Sequence, residues 1–214
     1  MNFYAYTDKA LKYLRRYYIR KFNTATMQIR ADNLNIIGVS QQLYNNLARE
    51  TELVFRKIAK HKYREICDED FLVGMWLSGF LEESNPLTGY VWRNDIDRKR
   101  QYFVESLLAE MPESGILSAA KGNAKLSGAD IDKAAKKALR YWYQAQKQYA
   151  DLVTDAAAMQ AYTDTNIEFV MWRTAEDEKV CYTCQSRDGK IYPLDYAPRK
   201  PHYHCRCSFV KVVK

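Results

Sequence analysis

Four of the five cysteines and two of the three histidines fall between residues 181 and 207. Cys181-Tyr182-Thr183-Cys184 is a C-x2-C pair, and Pro201-His202-Tyr203-His204-Cys205-Arg206-Cys207 follows about twenty residues later. Two thiolates separated by two residues can both reach one ion if the backbone between them turns tightly. A second group from a distant loop then completes a tetrahedron around zinc, at about 2.3 Å per Zn–S bond. The spacing follows that of structural zinc sites, with C-x-C and neighbouring histidines in place of a second C-x2-C. Zinc takes four ligands, and Cys181, Cys184 and Cys205 are the first three candidates. The fourth stays open. His202 stands three residues before Cys205 and can chelate in a turn. Alternatively, an extended 203–207 segment puts Cys205 and Cys207 on one side and gives a four-cysteine site. His204 would then face away. A disulfide and plain buried thiols are the competing readings. Cys67, alone on a helix, reads as a core thiol, and His61, between Lys60 and Lys62, as a solvated surface residue.

Short strands are expected to position this cluster. Residues 167–172, 190–192 and 208–213 are β-prone, and Asp188-Gly189 marks a turn before the second. Upstream the apolar period is helical. Ser127-Gly128-Ala129-Asp130 has capping-box spacing and opens a long helix to about Tyr162, with Thr154 as a point where it could break. Ile131, Ala135, Ala138, Trp142, Ala145, Tyr149 and Leu152 line its apolar face. Earlier helices are expected at 7–22 (Thr7 as N-cap; Leu11, Leu14, Tyr18 and Phe22 facing inward), 38–67, 70–83 and 95–111. Asn85-Pro86-Leu87-Thr88-Gly89 breaks the chain between the last two, and 114–128 reads as a linker or loop with a short helix. The fold class is therefore α+β, a mainly helical body followed by a small C-terminal α+β subdomain with short strands and a Cys/His cluster. The expected division is a helical body over 1–125 and a second domain over 126–214, whose Cys-rich β part spans 165–214.

The formal net charge is +7. The first helix carries Lys9, Lys12, Arg15, Arg16, Arg20 and Lys21, interleaved with Tyr13, Tyr17 and Tyr18. Such a face suits the phosphates of non-specific DNA, or an acidic protein surface. The 17 tyrosines fit half-buried positions and interfaces, and Trp76, Phe80, Tyr90 and Trp92 are either core or docking residues. No signal-like apolar run opens the sequence, and no stretch of about 18 apolar residues occurs, so no membrane partner and a reducing cytosolic setting are expected. Enzymatic activity is not expected. A His-Asn-His nuclease needs an asparagine, and none occurs from 167 to 214. Neither a P-loop nor G-x-G-x-x-G is present.

The run from Trp172 to Cys184, then Asp188-Gly189-Lys190, then Pro201 to Cys207, resembles the C-terminal signature of the phage Mu F-like minor head proteins over about residues 165–214. The helix over 130–162 is similar in character to that family, whereas 1–125 carries no resemblance. The resemblance implies a minor capsid protein of head morphogenesis, associated with the portal vertex inside the head. Its implied partners are the portal protein, the major capsid protein or both, within a larger assembly. The implied location is the capsid interior of the virion, after assembly in the bacterial host cytoplasm. Any zinc would be structural. The alternative is a zinc-stabilised DNA-binding regulatory protein, which would need a recognition helix that no segment plainly supplies.

Overall fold

A computed structural model describes residues 3–32, 35–69, 71–109, 126–175 and 180–212. Four helices precede residue 109: α1 (Ala5–Ala31), α2 (Ile36–Arg64), α3 (Val73–Glu82) and α4 (Trp92–Leu108). A fifth, α5 (Gly128–Asp164), runs without interruption through Thr154, whose hydroxyl donates to the Ala150 carbonyl at 2.7 Å. Then come β1 (Phe169–Arg173), the single turn α6 (Tyr182–Gln185), β2 (Ile191–Pro193), a 3-10 turn (Leu194–Tyr196) and β3 (Ser208–Lys211). This is the expected α+β arrangement. The expected linker at 114–128 lies outside the described residues up to 125, as do Asp70 and Val213 at the edges of expected elements.

Two corrections concern α1. It begins at Ala5, so Thr7 is not its cap. Thr7 is buried within the helix, where its hydroxyl shares a hydrogen bond with that of Thr154 at 2.7 Å. The helix also continues past residue 22, because Ala25, Thr26 and Ile29 prolong the buried stripe set by Leu11, Leu14, Tyr18 and Phe22. The cap of α5 is as read: the Asp130 amide donates to Ser127 Oγ at 3.2 Å.

The chain forms two compact units. One comprises Lys12–Leu53 and Leu81–Gln146. Its core is aromatic: Trp142 takes Tyr18 and Tyr44 edge-on at 6.0 and 5.4 Å, and Phe103 meets Phe22 at 5.6 Å. Trp92 belongs to this core rather than to a surface, and its indole donates to Gln146 Oε1 at 2.9 Å.

The other unit comprises Met1–Leu11, Val54–Phe80 and Lys147–Lys214. Cys67 is buried there with Tyr63 and Ala161, as expected of a core thiol. His61 is half-buried rather than fully solvated, its ring tilted against that of Tyr6 at 4.0 Å and 3.5 Å from Glu65. The three strands form an antiparallel sheet in the order β2-β1-β3, with Val170 opposite Tyr192 and Trp172 opposite Phe209. Tyr162 and Ala158 of α5 pack on Val170, so one face of β1 is covered by α5. Trp172, two residues on and on that same face, packs against the cysteines.

Candidate metal centre

C-x2-C becomes a chelating turn because Cys181 caps α6. Its sulfur accepts the Cys184 amide at 3.4 Å, which fixes the two side chains on one side of the turn. That amide pulls the Cys181 thiol below its ordinary pKa, while burial pushes Cys184 and Cys205 up. The return to the sheet uses the Asp188-Gly189 turn. Gly189 sits at φ 72°, a conformation that favours glycine, and its amide donates to the Trp172 carbonyl at 2.9 Å. Asp188 Oδ1 accepts the Thr174 amide at 2.9 Å, tying β1 to the turn.

The second ligand group comes from residues 197–207, which form neither helix nor strand. This segment is not extended throughout, because His204 lies at φ 57°. Cys205 and Cys207 are nevertheless both buried against Trp172 and Cys184, and His204 is exposed. The ligand atoms of Cys181, Cys184 and His202 all lie within 4.8 Å of one another, as do those of Cys184, Cys205 and Cys207. All five predicted cluster residues are thus brought together, with Cys184 common to both triads. All five cysteines of the chain are free thiols.

Cys184 Sγ stands 3.5 Å from His202 Nε2 and 3.5 Å from Cys205 Sγ. Tetrahedral zinc would hold two sulfurs about 3.8 Å apart, and a sulfur and an imidazole nitrogen about 3.5 Å apart. His202 has a further mark of a ligand. Its Nδ1 lies 2.8 Å from the Tyr203 carbonyl, so that Nδ1 donates and Nε2 presents its lone pair to the thiols. The donor set and its spacing fit one zinc ion.

Sequence reading missed the polar network behind the cluster. Tyr4 just before α1, Asp8 of α1, Asp151 and Asp155 of α5, and Lys200 and Arg206 of the cysteine loop converge there. Arg206 grips Asp8 through both nitrogens at 2.9 and 3.1 Å. Lys200 pairs with Asp155 at 2.5 Å and donates to the Tyr4 hydroxyl and to the Cys205 carbonyl. Tyr4 donates to Asp155 Oδ1 at 2.5 Å and reaches the Cys207 carbonyl at 3.1 Å. Burial, then Asp155, pushes the Tyr4 hydroxyl well above its ordinary pKa and keeps it protonated. The one available signal was two aspartates, Asp151 and Asp155, four residues apart on α5. A cavity of about 1190 Å³ opens beside this region, lined among others by Cys181, His202, His204, Arg206, Lys147 and Arg173.

Of the predicted basic face, Lys9, Lys12, Arg15, Arg16 and Arg20 are exposed and Lys21 is half-buried. Arg15 lies over the Tyr143 ring and Lys21 over Tyr17, at 5.9 and 5.4 Å. No helix among the described residues is long and apolar enough to cross a membrane.

Taken together, the elements define a helical protein whose chain ends in a small antiparallel sheet built beside a Cys/His cluster. The family model for Phage Mu protein F like proteins matches residues 117–210. The matched segment holds α5, the sheet as far as Val210 and every residue of the cluster. No curated protein and no solved structure matches the chain.

Proposed function

We propose that this protein is a structural component of a phage head that folds its Mu F-like region around one zinc ion. It acts as part of an assembly with the portal protein, the major capsid protein or both. The observation that carries this reading is the coincidence of the family match with the Cys/His cluster. Zinc would be held by Cys181, Cys184, His202 and Cys205, with Cys207 packed beside them. Bound there, it would supply folding free energy to a sheet of three short strands that has little core of its own. The role is architectural rather than catalytic.

Two surfaces support a docking role. Leu72 and Met75 are 70% and 71% exposed, next to the stacked pair Trp76 and Phe80. Apolar side chains grouped this way mark protein contact sites. The exposed basic face of α1 supports contact with packaged DNA or with an acidic partner surface. That same face is the only support for the alternative of a zinc-stabilised DNA-binding regulator.

Particle fractionation tests the proposal. The protein should co-purify with heads assembled in the bacterial host cytoplasm and should be captured by portal or major capsid protein on co-expression. A protein abundant in infected cells, absent from particles and bound by neither shell component would overturn the head role in favour of the regulator.

A further inference from the structure

We infer that metal loading of the Cys/His cluster latches the first two turns of α1 in place, so that the site controls whether this N-terminal segment is docked or free. The inference rests on the zinc reading given above and extends it to a second, distant segment of the chain.

The cysteine loop forms this latch, beside the bonds that Thr7 and Tyr4 make to Thr154 and Asp155 of α5. Arg206 follows the ligand Cys205 and precedes Cys207, which is buried beside the site, so holding Cys205 fixes the backbone that aims its guanidinium at Asp8. Its planar fork meets the carboxylate through two bonds, and its cation lies 4.2 Å from the centre of the Tyr4 ring. The two cysteine carbonyls are also engaged: Cys207 with the Tyr4 hydroxyl, Cys205 with Lys200. Lys200 then reaches back to Tyr4 and to Asp155. These polar ties from the loop to the start of α1 come from Lys200, Arg206 and Cys207, each within two residues of the ligands His202 or Cys205.

Beyond the cluster, the loop is held by side-chain ties, among them Lys200 to Asp155 and Arg187 to the Arg199 carbonyl at 3.1 Å. Residues 197–207 have no helix or strand, and His204 occupies the left-handed region that a side chain other than glycine adopts at a cost. A segment with few backbone hydrogen bonds and one unfavourable dihedral relaxes when its anchor goes. Once Arg206 and the Cys207 carbonyl move away, Tyr4 and Asp8 lose their partners in the loop. Tyr4 is then a buried tyrosine without its full set of contacts, and the start of α1 frays.

Hydrogen exchange on the intact chain tests the latch, after zinc content has been measured on protein purified without chelator. Peptides covering 5–11, 36–53 and 180–207 are followed with zinc bound and after chelation under reducing conditions. Removal of metal should speed exchange in both 180–207 and 5–11 by about tenfold or more, and leave 36–53 unchanged. Arg206→Ala, with zinc still at one per chain, should speed exchange in 5–11 alone. If chelation also loosens 36–53, the Arg206→Ala arm decides. The latch is overturned if 180–207 loosens on chelation while 5–11 stays protected, or if Arg206→Ala leaves 5–11 protected. A protein without zinc overturns the metal reading itself, and this inference falls with it.

Discussion

Asp151 should weaken the fold at neutral pH, and the size of the effect follows from its surroundings. It is buried on α5, neither carboxylate oxygen accepts a hydrogen bond, and Arg206 stands 3.9 Å off. Burial, only partly offset by Arg206, lifts its pKa from 3.8 to about 6. An acid whose folded pKa is raised opposes folding when ionised. The penalty is complete above about pH 6, shrinks as pH falls through 6, and vanishes below about 4. A shift of about two units corresponds to roughly 3 kcal/mol. Asp151→Asn keeps the shape and removes the charge, so it should stabilise the protein by up to about 3 kcal/mol at pH 8 and by about half of that at pH 5. Urea denaturation of both proteins at each pH gives the difference, in which acid effects common to the two, including any loss of zinc, cancel. A variant that is less stable at pH 8, or a difference that does not change with pH, would refute the argument.

Three further expectations concern the site and the surfaces. Cys184→Ser should release zinc, since Cys184 is common to both triads, while His202→Ala should lower zinc retention and Cys207→Ser should keep one zinc per chain; the reverse pair of results would make it a four-cysteine site. Metal analysis after dialysis reads this directly. Replacing Arg15, Arg16 and Arg20 together by Glu should abolish DNA binding whatever the sequence, and wild-type affinity should fall by about 0.9 log unit per log salt for each phosphate neutralised. No wild-type binding at low salt, or binding retained by the variant, would assign the basic face to a protein partner. Finally, Leu72→Ser with Met75→Ser should weaken capture of the shell partner yet change stability by no more than about 0.5 kcal/mol, because both side chains face solvent. A large loss of stability with capture intact would show that these residues serve the core.

Local pattern carried much of the architecture. Leu11, Leu14, Tyr18 and Phe22 announce a helical face by spacing alone, and all four are buried. Cys181 and Cys184 are three residues apart, and Asp188-Gly189 turns where a turn was expected, because these geometries are decided within a few residues. The helix end at Ala31 was illegible for the same reason. Ala25 and Thr26 are small and weigh little in an apolar count, yet they continue the stripe. Thr7 looked like a cap because threonine commonly is one; its hydroxyl instead meets Thr154, 147 residues away. The network behind the cluster left almost no trace. Asp8 and Arg206 look like ordinary surface charges until the fold joins them, and no periodicity records a pair so far apart.

That separation has a bearing on how the molecule comes into being. Asp8 and Arg206 are 198 residues apart along the chain. At a translation rate of about 5–20 residues per second, roughly 10–40 seconds pass between the synthesis of one and of the other. Throughout that interval the first turns of α1 exist without Arg206 or the carbonyl of Cys207, while the segments Lys12–Leu53 and Leu81–Gln146 can already complete their own unit. Contacts of such high order form late and slowly. The nascent chain therefore carries its N-terminal turns without these ties until the cysteine loop has been made.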